Sequence, residues 1–141
     1  MSTTTRRQDV LRPLLVLMSV AFVVSVIHYV DNTVNYADYP RAEPGSAIPN
    51  PSATVVGSAW FVFTAIGGLG LWWFVRGRVT AAAVAIAVYS GSGLVGFVHY
   101  SVPGATDMVW WRQTHVIADI ICGLLLFAFA IWSAVALREE S

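Results

Sequence analysis

Three histidines and one aspartate are the residues of this chain whose types and spacing could do chemistry. In the stretch Thr114 to Cys122, THVIADIIC, His115, Asp119 and Cys122 fall at i, i+4 and i+7, which is one face of a helix. A second stripe is HYVDNTVN, in which His28 and Asn32 continue the spacing begun by Ser25, with Asp31 alongside and Asn35 a turn beyond. A third, YSGSGLVGFVHY, places Ser92, Gly96 and His99 at i, i+4 and i+7. His28, His99 and His115 each lie near one end of a long apolar run, and Asp119 is the only acid within those runs.

Such a set has three chemical uses. Neutral imidazole is a good ligand for Zn, Fe or Cu, and three histidines with an open position form a common catalytic zinc arrangement. His28, His99 and His115 would be the ligands, and Asp119 would orient one of them or act as a base. Two of the histidines could instead be axial ligands to a haem held in a bundle. Without any cofactor, His and Asp form a proton relay or a binding pair for a substrate. The plain alternatives are an interfacial histidine at headgroup level and an aspartate that hydrogen-bonds across helices. The spacing lacks the H-E-x-x-H pattern, and there is no G-x-S-x-G, no P-loop and no C-x-x-C. SGSG in the third run has no adjacent base and reads as packing.

The elements that must hold these residues are set by composition. The chain has 141 residues, 57% of them hydrophobic, and no lysine. Its apolar runs are apolar all round, the pattern of helices in lipid and not of a soluble amphipathic bundle. About 20 such residues cross the hydrocarbon core. Four segments qualify: about 13–30, 53–75, 79–102 and 112–137, giving an all-α integral membrane protein, a single domain over 1–141 built as a four-transmembrane-helix bundle. Pro13 is expected in the first turn of the first helix.

Arginine placement predicts orientation. Arg6, Arg7 and Arg12 precede the first helix and Arg76 and Arg78 flank the turn between the second and third, so both termini are expected in the cytoplasm. The histidines and the loop 31–52 then face the extracytoplasmic side of a cell membrane. Trp72, Trp73 and Trp132 would form the inner aromatic belt, with tyrosines and Trp110 and Trp111 forming the outer one. The proline-rich connection holding Pro40, Pro44, Pro49 and Pro51 cannot be helical throughout and is expected to cover the bundle. TTRRQDVL before an apolar stretch resembles a secretory or twin-arginine signal, but no A-x-A site follows it.

Zero net charge gives no basis for a nucleic-acid partner. The single cysteine, Cys122, cannot form an intramolecular disulfide. The expectation is therefore a polar pocket in the outer half of the bundle, walled by His28, His99, His115 and Asp119, rimmed by Asp31, Asn32, Asn35 and Tyr100. It would bind a divalent transition metal or a lipophilic small molecule, with action on a lipid-soluble substrate as one outcome. A haem-binding redox protein and a non-enzymatic transport or assembly subunit remain open beside it.

Overall fold

The computed structural model describes residues 3–137, and they form four long helices with no strand among them. Helix α1 spans Thr3–Val34, α2 Ala53–Val75, α3 Val79–Leu94 and α4 Trp110–Ala136. Each is long and apolar enough to cross a membrane, α3 when its 3₁₀ continuation to Ser101 is included. They run up, down, up and down, with α1 against α2 and α4, and α3 between α2 and α4. One end gathers arginines: Arg7 lies against Gly77 in the α2–α3 turn, and Arg6 Nη1 donates to the Ala136 carbonyl at 3.4 Å. The histidines sit towards the other end.

Apolar side chains fill the arginine half of the bundle, with Leu14, Phe74, Ile86, Leu126 and Leu137 almost wholly enclosed. Small residues set how closely the helices approach. A Cβ on Gly93 would strike the carbonyl oxygen of Asp119, and one on Gly123 would lie 2.9 Å from that of Ser90. α3 and α4 therefore touch backbone to backbone at the depth of Asp119.

Two of the helices differ from the sequence expectation. α1 begins at Thr3 and ends at Val34, not 13–30, so Pro13 is an interior residue of the helix and Asp31 and Asn32 belong to the helix and not to the loop. Proline removes one hydrogen bond there, a loss that helices in lipid tolerate when neighbours satisfy the freed group. The outer end continues because Asp31 and Asn32 bond inward to neighbouring segments. The third run, expected as one helix over 79–102, is α-helical only to Leu94 and 3₁₀ over Val95–Ser101. Gly96 presses against Ile120 there, and Val102, which precedes Pro103, is forced into extended geometry. The tighter winding, about 3.0 against 3.6 residues per turn, rotates His99 away from the face that an unbroken α-helix would give it.

The connection over 35–52, outer in the sense that it lies at the histidine end of the bundle, is ordered by its own polar groups. The Asn50 side chain bridges the Ala42 backbone, accepting from its N–H at 3.0 Å and donating to its carbonyl at 2.8 Å. Tyr36 donates to the Pro51 carbonyl at 2.5 Å, and Ser52 caps α2 by accepting from the Val55 N–H.

Candidate functional site

His28, on α1, is 1% exposed, and Asp119, on α4, is 2% exposed; their side chains meet at 2.7 Å, His28 Nδ1 to Asp119 Oδ2. A carboxylate only accepts, so Nδ1 carries the proton and the Nε2 lone pair of His28 is left free. That nitrogen is enclosed and has no partner. The contact forms because the α1 stripe of Ser25 and His28 faces the α4 stripe of His115 and Asp119 across a close α1–α4 contact.

The other two histidine rings neighbour His28: His99 at 5.7 Å and His115 at 5.6 Å between ring centroids. Their nitrogens are used differently. His99 Nε2 accepts from the Asn32 amide nitrogen at 3.1 Å, whereas both nitrogens of His115 are buried without a hydrogen-bond partner. The nearest charge to His115 is Asp31, Oδ2 to Nε2 at 3.4 Å.

The three histidine rings come together, but the expected three-histidine ligand set finds no support in their arrangement. Among the described residues no group of three or more His, Cys, Asp or Glu is arranged to hold a metal ion. The physical reason lies in the side-chain partners. The Asn32 amide occupies the Nε2 lone pair of His99, so the three rings do not turn a set of free nitrogens towards one point, even though the Asp119 contact leaves Nε2 of His28 free.

Asp31 was expected at a pocket mouth, yet it is buried at the centre of a second network. It accepts from Arg112 Nε at 2.9 Å, from the Tyr39 hydroxyl at 2.6 Å and from the Asn35 amide at 2.6 Å. Arg112 also donates to Asp38 at 3.2 Å and stacks between the rings of Tyr39 and Trp111, 5.0 Å from each centroid. Burial, then the hydrogen bond and charge of Asp31, raise the Tyr39 phenol above its ordinary value, so it stays a donor at physiological pH. Tyr100 was also placed on the rim; it packs instead beside Tyr39, Met108, Val116 and Ile120, with its hydroxyl unpartnered. Trp110 is exposed, while Trp111 lies on His115 and Arg112.

Arg112 and Tyr39 are the site residues that sequence reasoning missed. For Arg112 a signal existed: Arg112, His115, Asp119 and Cys122 share one helical face, so the polar stripe of α4 starts a turn earlier than was read. Tyr39 carried no such signal, because it lies in the short turn after α1, where no periodicity applies.

Between α1, α2, the 3₁₀ segment 95–101 and the outer connection lies a cavity of about 170 Å³. Its walls are mostly apolar, with Val56, Ala59, Phe63, Val95 and Val98 among them. His28, Asn32 and His99 line one side, and residues 39–42 and 48–51 lie over it. His115 and Asp119 are not among its lining residues. No family model, curated protein or solved structure matches the chain. The site itself must carry the functional argument.

Proposed function

We propose that this chain is a multi-pass membrane protein that binds a small lipid-soluble molecule in the cavity beneath the outer connection. The observation that carries the reading is an apolar cavity with one polar wall made of Asn32, His99 and His28, the last fixed from behind by buried Asp119. Ligand sites combine apolar lining with a few convergent polar groups in this way. His28, with Nδ1 held by Asp119 and Nε2 enclosed, backs that wall behind Asn32 and His99. The bilayer supplies both the solvent for four apolar helices and the reservoir of ligand. The arginine-rich end faces the cytoplasm by the positive-inside rule, which puts the cavity in the outer leaflet.

The test is to purify the protein in mild detergent, extract it with organic solvent and compare it with Ala59→Trp, which fills the cavity. The wild type should carry a small lipid-soluble molecule approaching one per chain, and the variant should lack it while keeping its helical circular dichroism. Equal content in both overturns the reading. A metal bound stoichiometrically and lost in both His28→Ala and His99→Ala, or a Soret band, would replace it with a metal or haem protein.

A further inference from the structure

We propose that the ligand is a neutral single-ring hydroxyl compound of the phenol class, bound through its hydroxyl between Asn32 and His99. This rests on the cavity reading above and deepens it. The inference follows from which polar groups of the cavity wall are already used. Tyr29 donates to the Ser92 carbonyl, Tyr36 to that of Pro51 and Tyr39 to Asp31. Asn50 uses both ends of its amide on Ala42. The Arg41 guanidinium stacks over the Tyr36 ring and is exposed.

His28 Nε2 is unpaired as well but fully enclosed, so two groups are left to meet a ligand. The Asn32 amide nitrogen donates to His99 Nε2, so His99 carries its proton on Nδ1 and presents a donor, while the Asn32 Oδ1 presents an acceptor. Neither atom has another hydrogen-bond partner, and neither is among the fully enclosed unpartnered atoms. A donor beside an acceptor fits one hydroxyl, which accepts from His99 Nδ1–H and donates to Asn32 Oδ1. No carboxylate lines the cavity, which disfavours a cation, and an anion would meet the Asn32 carbonyl oxygen.

Size narrows the class. An apolar cavity of about 150 Å³ takes up benzene, and this one, at about 170 Å³, accommodates one ring and its hydroxyl. A tail would leave between α2 and the 3₁₀ segment, where Val55, Val95 and Val98 are exposed.

Equilibrium dialysis of the full chain in lipid nanodiscs, against empty nanodiscs, measures uptake of 4-butylphenol, its methyl ether and butylbenzene. The phenol should bind about tenfold or more tightly than the other two, the effect of leaving a polar site unpaired. Asn32→Leu should erase that preference without weakening butylbenzene. Equal binding of all three probes to the wild type overturns the hydroxyl inference and leaves the lipophile cavity standing. Absence of any uptake beyond empty nanodiscs overturns both. The wild-type comparison decides the matter even if Asn32→Leu fails to fold.

Discussion

At the scale of single residues, the pairing of His28 with Asp119 is the feature on which the others depend. Both are enclosed, so removing one leaves the other without its partner in a place water cannot reach. His28→Leu should therefore lower stability by about 1–3 kcal/mol, the cost of a buried polar group left unpaired. Asp119→Asn keeps an acceptor for the Nδ1 proton and should cost less. Thermal unfolding in detergent checks the order: if Asp119→Asn unfolds at or below the midpoint of His28→Leu, the hydrogen bond is not what holds the pair. Asn32 and His99 form the second such couple, and theirs is the one that faces the cavity.

At the scale of elements, the site exists because α3 and α4 come close enough for their backbones to meet. Gly93→Ala would push a Cβ into the Asp119 carbonyl, which displaces the helix segment that carries the carboxylate. Gly68, on the neighbouring α2, has open space where its Cβ would be, so Gly68→Ala should be neutral or stabilising by about 0.5–1 kcal/mol through helix propensity. Comparing the two variants separates steric cost from propensity. Gly93→Ala should lose several degrees of thermal midpoint and any bound lipophile, and Gly68→Ala should lose neither. The same elements explain what the sequence could not foretell. Apolar runs reveal helices but not where an α-helix tightens into 3₁₀, and His99 depends on that change at Val95.

At the scale of the whole molecule, the four long apolar helices, the carboxylate of Asp119 within them and the end that holds all three histidines were readable from apolar runs and helical spacing alone. The pairings were not. His28 and Asp119 are 91 positions apart and Asp31 and Arg112 are 81 apart, and no local pattern says which polar stripe faces which. The expected ligand set finds no support among the described residues for that reason, since proximity of three rings is legible and the direction of their nitrogens is not. Orientation across the bilayer has a direct check. A cysteine replacing Ser46, exposed in the outer connection, should react with an impermeant thiol reagent on intact cells. One replacing Gln8 near the arginine end should react only after permeabilisation, with buried Cys122 silent in both. The reverse pattern would invert the topology.

The sandwich of Arg112 between Tyr39 and Trp111 has a kinetic meaning as well. Through it the outer connection is fastened to α1 by Asp31 and to α4 by Arg112. A molecule leaving towards water would have to break those contacts together, whereas one leaving sideways has only to part the valines of α2 from those of the 3₁₀ segment. For a ligand bound as proposed, exchange with the bilayer would be the fast path and exchange with the aqueous phase the slow one, and residence time should then track the lipid around the protein more than the solution above it.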